Sequence, residues 1–237
     1  MNINFKVPQL LRVSAFVIAS VVTLGFASCK GDDCCDVPIP QKAQTSVLNL
    51  LQGIDEIDLH AGTTKLNSSG IDYGSQSAYF LVDAGEQNIS VFQTDETDTL
   101  ASHKYTFARD KSYSAFAIGE GEDAEIIIAE DNLTNPSTGK VKIRFANLAD
   151  LDGNLDLWLG DGENALMEDV AYKTIGTFIE ADPAEEVSLA VKINGQEEDV
   201  ATLENAKLEA GKIYTVYAYV EEVEGESQTK LNIATNK

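Results

Sequence analysis

From about residue 44 onward, apolar and polar positions alternate with period two, the pattern of strands that bury one face. Clear runs are Ile57-Asp58-Leu59, Asn88-Ile89-Ser90-Val91-Phe92, Val141-Lys142-Ile143-Arg144-Phe145 and Leu155-Asp156-Leu157-Trp158-Leu159. Clusters of Gly, Asn and Asp separate them at turn spacing, and no stretch follows a helical period. The pattern predicts an all-β chain. The first 43 residues differ. Residues 13–26 (VSAFVIASVVTLGF) are uncharged and mostly apolar, with Lys6 and Arg12 before them. At about 1.5 Å per residue this run is short for a membrane span and fits an export signal over residues 1–28. Residues 30–43, with Pro38, Pro40 and several charges, read as an extended tether.

The β pattern occurs twice. Asp58 in its apolar frame matches Asp156, an offset of 98 residues. Ile71-Asp72-Tyr73 matches Val170-Ala171-Tyr172, and Tyr79-Phe80-Leu81-Val82 matches Phe178-Ile179-Glu180-Ala181, both at 99. Lys111-Ser112-Tyr113 matches Lys212-Ile213-Tyr214 at 101. Four ordered matches at nearly constant spacing predict two units, residues 44–135 and 140–237. Each is near the size at which a β-sandwich buries its own core. The turn-rich joint Asn135-Pro136-Ser137-Thr138-Gly139 leaves little freedom between them.

These repeats resemble the tandem bacterial family known as domain of unknown function 4397 (DUF4397). The second unit carries Val141-Lys142-Ile143-Arg144-Phe145-Ala146-Asn147, Leu155-Asp156-Leu157, Ala171-Tyr172 and Ala210-Gly211-Lys212-Ile213-Tyr214-Thr215-Val216. The first keeps Tyr73-Gly74-Ser75 and Lys111-Ser112-Tyr113. It has Asp110 in place of Gly211, and a weaker opening strand. The resemblance implies two tandem immunoglobulin-like or transthyretin-like β-sandwich domains on an envelope protein. It implies no reaction, because fold does not fix function.

Ala27-Ser28-Cys29 resembles the lipobox of bacterial lipoproteins, with Phe26 where Leu is usual. That resemblance implies cleavage before Cys29 and acylation of its thiol and new amino group. The acyl chains would fix residues 29–43 as a lipidated tether to the outer membrane. Lys30-Gly31-Asp32-Asp33 resembles the surface-export signal of lipoproteins of one Gram-negative phylum, with Lys30, Asp32 and Asp33 as its charged residues. The location this implies is the cell surface. Asp98-Thr99-Leu100 resembles an O-glycosylation sequon of exported proteins of that phylum, with Thr99 as acceptor. Cys34 and Cys35 complete the cysteines, so the folded region has no disulfide of its own.

Composition narrows the partners. Seventeen basic residues face 39 acidic ones, a net charge of −22. This excludes nucleic acid, which needs clustered Lys and Arg, and electrostatic docking on anionic lipid. The two histidines, His60 and His103, both fall in the first repeat and read as surface or structural residues. No phosphate loop or His-Glu-x-x-His pattern occurs. No catalytic residue, cofactor site or metal site is assigned. The nearest to a ligand loop is Asp150-Leu151-Asp152-Gly153-Asn154-Leu155-Asp156, whose hard oxygens suit Ca²⁺. Its glycine is misplaced for an EF-hand loop, and a polar turn is the expectation. Asp161 and Glu163 lie just downstream.

Asp58 and Asp156 are expected on an exposed face or capping a turn amide. Tyr73, Tyr113, Tyr172 and Tyr214 are expected in the core or at corners, with bonded hydroxyls. Trp158 is expected in the core; facing water, it would mark a sugar- or partner-binding surface. The sequence thus points to a lipid-anchored surface module that binds or displays, with a glycan or envelope protein as partner. A periplasm-facing assembly lipoprotein is the alternative, and a carboxylate-based hydrolase a distant third.

Overall fold

The computed structural model describes residues 41–160, 162 and 165–237. Pro40–Lys237 is one compact unit. The first repeat contains β1 (Lys42–Leu51), β2 (Glu56–Ala61), β3 (Thr64–Lys65), β4 (Ile71–Asp72), β5 (Phe80–Asp83), β6 (Gly85–Gln93), β7 (Thr99–Phe107), β8 (Ser112–Gly119) and β9 (Glu125–Asp131). The second contains β10 (Val141–Leu148), β11 (Leu155–Leu159), β12 (Met167–Val170), β13 (Thr174–Ile175), β14 (Ile179–Ala181), β15 (Ala184–Ile193), β16 (Asp199–Leu208), β17 (Ile213–Val223) and β18 (Glu226–Thr235). A 3₁₀ turn, Gly121–Asp123, is the one helical piece among the described residues.

Each repeat folds into two stacked sheets. In the first, an inner sheet has the order β5-β1-β8-β9 and an outer sheet β3-β2-β6-β7, with β4 also beside β2. In the second, the inner sheet is β13-β10-β17-β18, with β14 also beside β10, and the outer sheet is β12-β11-β15-β16. The opening strand of each repeat runs parallel to the eighth, Ser46 beside Ser114 and Arg144 beside Thr215. Each repeat has its own core. Val47, Leu59, Val91 and Ala115 meet in the first, and Ile143, Leu157, Val191 and Val216 in the second.

A third apolar cluster joins the repeats. Leu48, Leu50, Phe116 and Ile118 of the first inner sheet pack on Ala146, Leu148 and Tyr217 of the second. The molecule is therefore four sheets deep, and both inner sheets are covered on both faces. This explains the weak alternation of β1. A strand buried on both sides needs no polar face, and every residue from Thr45 to Leu51 is buried. In β10, Lys142 and Arg144 alternate with the core residues, but the polar face they mark is the seam between repeats, not solvent.

A polar network crosses this seam. Arg144 and Asp131 are 1% and 0% exposed at their side chains, and Arg144 Nη2 lies 2.6 Å from Asp131 Oδ1. Asp131 Oδ2 accepts from Tyr79 Oη (2.5 Å) and Ser114 Oγ (2.7 Å). Arg144 Nε donates to Thr215 Oγ1, which donates to Asn236 Oδ1. Asn236 Nδ2 returns to Tyr79 Oη and Ser114 Oγ across the seam. The guanidinium stacks on Phe178, 4.4 Å from the ring centroid. Burial pulls the Arg144 pKa down, and the adjacent Asp131 charge opposes that. Burial also pushes the Tyr79 hydroxyl up to about 12, assisted by the charge of Asp131.

The repeats share local devices. Tyr113 Oη accepts the Ala108 amide and Tyr214 Oη the Glu209 amide, both at 3.0 Å. Each hydroxyl pins the corner entering its eighth strand. Asn49 and Asn147 are likewise equivalent; each donates to a carbonyl of the returning strand, Ile71 O and Val170 O. Asp110 can replace Gly211 because both corners require positive φ, 60° and 86°. Short polar side chains tolerate that region better than most. The expected bonded hydroxyl does not hold for Tyr73, whose oxygen is buried without a hydrogen-bond partner.

Tyr113→Phe and Tyr214→Phe should each remove the acceptor of a partly buried corner amide and destabilise by about 0.5–1.5 kcal/mol. Urea unfolding measures both, and similar costs are expected at the two sites. Tyr79 gives a pH test. Its pKa is raised in the folded state, so its stabilising share is complete below the ordinary value of 10.0. That share is lost as pH climbs towards about 12. Tyr79→Phe should therefore lose less stability than the parent protein between those limits, as read from melting temperatures.

Candidate functional site

A recess opens at one end of the seam. The first repeat contributes the β8–β9 connection. β8 ends at Gly119, whose φ is 91° and where a Cβ would lie 2.4 Å from Asp123 O, so only glycine fits this turn. The turn then presents Glu120, Glu122 and Asp123, and β9 opens with Glu125. The second repeat contributes Asp150, just after β10, and Tyr172-Lys173 before β13. The recess is open to solvent and has a volume of about 880 Å³. Gln52 Nε2 donates to Val220 O at 3.3 Å and ties the two repeats beside it.

Lys173 is the cation of this recess. Its Nζ lies 2.5 Å from Glu125 Oε1 and 4.9 Å from the Tyr172 ring centroid. The hydrogen bond that Lys173 donates to Glu125 pushes the Lys173 pKa up. Both side chains are well exposed, so this bridge between repeats adds little stability. The chemistry on offer is carboxylates, one ammonium and a phenol, which suits recognition of polar or cationic groups.

The loop at residues 150–156 is a turn. Asp150 and Asp152 are exposed and Leu151 packs on the second core. Asp156 is buried and faces away from them in its bonding. Its Oδ1 accepts the Asp169 amide at 2.7 Å, and Asn194 Nδ2 donates to both its oxygens. Asp161 and Glu163 are outside the described residues. Among the described residues no group of three or more His, Cys, Asp or Glu is placed to hold a metal.

The equivalent Asp58 is also buried, so neither acid takes an exposed face; Asp156 takes the other expected role and accepts a backbone amide. It meets Lys65 Nζ at 2.7 Å and Asn67 Nδ2 at 2.8 Å. Burial raises its pKa, but the bonds from Lys65 and Asn67 outweigh that and hold it below 3.8. Both acids fasten loops beside the second strand of their repeats.

His60 lies across from Ser90 and two residues from Asp58 on one face of the outer sheet. No hydrogen bond joins the three. Asp58 is held as above, Ser90 Oγ accepts from Asn88 Nδ2, and His60 packs on Phe92 at 4.5 Å. His103 is exposed in β7. Trp158 is a second correction. It is half-buried on the outer face of β11, its Nε1 sheltered without an acceptor and Lys192 Nζ 5.0 Å from its ring centroid. Thr99 begins β7 at an exposed hairpin. Cys29, Lys30, Asp32, Asp33, Cys34 and Cys35 lie outside the described residues.

The sequence pattern did not single out Arg144, Asp131 or, apart from Asp150, the recess acids. The available signal for Arg144 was a charge at the centre of an apolar strand whose counterpart in repeat one is Ser46.

With this geometry in view, residues 43–158 match the family model described as domain of unknown function (DUF4397). Those residues are a DUF4397 domain. The DUF4397 match covers β1–β9, crosses the joint and ends inside β11. A comparison with curated proteins found no match. Among solved structures, the C-terminal domain of AlgF from P. aeruginosa aligns at 20% identity over 38% of this chain and 99% of its own, with TM-score 0.29. A family 26 carbohydrate-binding module of Eubacterium rectale Amy13K, in complex with maltoheptaose, aligns at 10% over 83% and 98%, TM-score 0.27. A candidate cell adhesion protein from Bacteroides fragilis aligns at 10% over 84% and 98%, TM-score 0.24. At these scores the likenesses carry no argument about this protein's ligand.

Asp156 is committed to an amide and to Asn194, so calcium at about 1 mM should leave the melting temperature nearly unchanged. A ligand at a hundredfold excess over Kd would add about 2.7 kcal/mol. A rise of several degrees that Asp152→Ala abolishes would assign the loop to calcium.

Proposed function

We propose that this protein is a lipid-anchored module of the outer membrane that binds or displays at the cell surface and catalyses no reaction. The observation that carries this reading is the locked seam. A buried ion pair and an apolar cluster hold two sandwiches as one block, with outer sheets and a seam recess in fixed relation. Fixed presentation serves binding and display. The block begins at β1, directly after the tether, so the one attachment this reading needs is Cys29.

The arrangement of Asp58, His60 and Ser90 supports the non-catalytic half of the proposal. The residue types of a nucleophilic triad meet on one sheet face, but hydrogen bonds commit Asp58 elsewhere. The partner is a glycan or an envelope protein. The strong negative charge disfavours polyanions such as nucleic acid. In this reading Lys30, Asp32 and Asp33 direct export and Thr99 carries a glycan.

Cell fractionation tests the anchor. Cys29→Ala should release the protein from the membrane fraction. Changing Asp32 and Asp33 to Ala should leave it membrane-bound but shielded from protease added to whole cells. Membrane retention of Cys29→Ala would remove lipidation at that residue. Whole-cell resistance of the parent protein, with digestion after lysis, would favour the periplasm-facing alternative. Binding screens of residues 41–237 against glycans and envelope proteins then identify the partner.

A further inference from the structure

We infer that the Arg144–Asp131 pair selects which sandwich the seam accepts: the inner face of repeat one takes repeat two and rejects a copy of itself. The seam is built from equivalent positions of the two repeats. By strand register, Leu48 corresponds to Ala146, Leu50 to Leu148, Phe116 to Tyr217 and Ala129 to Ala234. All eight lie in the one apolar cluster. Two related surfaces therefore meet face to face, as in the isologous interface of a dimer. The apolar part of such a seam has little direction of its own and does not by itself exclude like-with-like pairing.

The polar centre breaks this equivalence. Arg144 stands beside Thr215, where Ser46 stands beside Ser114. Asp131 lies opposite Ser112, and its counterpart Asn236 bonds through its amide to Ile213 O. Tyr79 and Phe178 are equivalent too, and they flank the ion pair from either side. Pairing two first repeats would face each Asp131 with a Ser46 hydroxyl and bury two carboxylates without a cation. Pairing two second repeats would bury two guanidiniums facing Asn236. Only the mixed pairing gives one cation and one anion in contact. An unpaired buried charge is among the most destabilising features an interface can carry.

The joint does not enforce the choice by itself. Nine residues, 132–140, separate β9 from β10, and an extended chain of that length reaches about 30 Å. It raises the local concentration of repeat two but does not fix its orientation. The seam would therefore also accept repeat two of a second copy of this chain.

The experiment uses the full chain with a specific protease site inserted after the exposed Thr138. The protein is folded, cut and examined by native mass spectrometry, since the halves differ in mass. The cut parent protein should give the mixed pair alone. Asp131→Asn with Arg144→Ser, which writes each repeat's residue into the other, removes both charges together. Its cut halves should give both like pairs besides the mixed one. Asp131→Asn with Arg144→Met serves the same purpose if the first double variant fails to fold. Arg144→Ser alone should weaken the mixed pair a hundredfold or more, and Arg144→Lys should keep the mixed pair exclusive. Like pairs or free halves from the cut parent protein overturn the inference. So do exclusively mixed pairs, or free halves alone, from the folded double variant, which would place selection in the apolar residues or reduce the pair to affinity.

Discussion

The architecture depends on one buried charge pair. Asp131 closes the last strand of repeat one, and Arg144 sits at the centre of the first strand of repeat two. Transferring either ion from water costs several kcal/mol, and the Coulomb gain offsets this only when the remaining hydrogen-bonding positions are filled. Here Tyr79 and Ser114 donate to Asp131 Oδ2, Thr215 accepts from Arg144 Nε, and Asn236 ties these partners together from the second repeat. Each of these residues is placed by a strand of an inner sheet or a segment next to one. The pair is satisfied only when both sandwiches are complete and docked in one orientation.

The apolar cluster around it supplies the bulk of the adhesion and the charge pair supplies the geometry. Leu48, Leu50, Phe116 and Ile118 would dock on many flat apolar faces, because hydrophobic contact has little direction. A close ion pair whose members are hydrogen-bonded to fixed neighbours in the same face tolerates little displacement. The combination turns two repeats into a block and places Gln52, Val220, Tyr172 and Glu125 around a recess that neither repeat forms alone.

The all-β class and the repeat were legible in the sequence because outer strands such as β2, β6 and β11 alternate cleanly. They have a core on one side and water on the other. The inner strands were harder to read. β1 carries Val47-Leu48-Asn49-Leu50-Leu51, without alternation, because both its faces are covered. β10 does alternate, but Arg144 faces a second protein surface where the pattern suggests solvent. Period two reports which residues share a side, never what lies on that side. The buried positions of Asp58 and Asp156 were hidden for the same reason: their partners Lys65, Asn67, Asp169 and Asn194 come from loops with no periodic signal. Trp158 is expected in the core, whereas strand parity with Asp156 puts it outward. The recess could not be read at all, since its walls are turns from different repeats brought together by docking.

The parallel pairing of β1 with β8 has a mechanical consequence. Tension entering the chain ahead of Lys42 pulls along the axis of β1, and the rungs from Gln44 to Leu51 lie across that axis. They are loaded in shear and must yield together, whereas a hairpin pulled apart at its ends opens one rung at a time. β5 grips the other edge of β1 from Lys42 to Thr45, the first part to feel the load. The first strand of the block is thus clamped on both edges, and a load applied ahead of it meets the whole ladder at once.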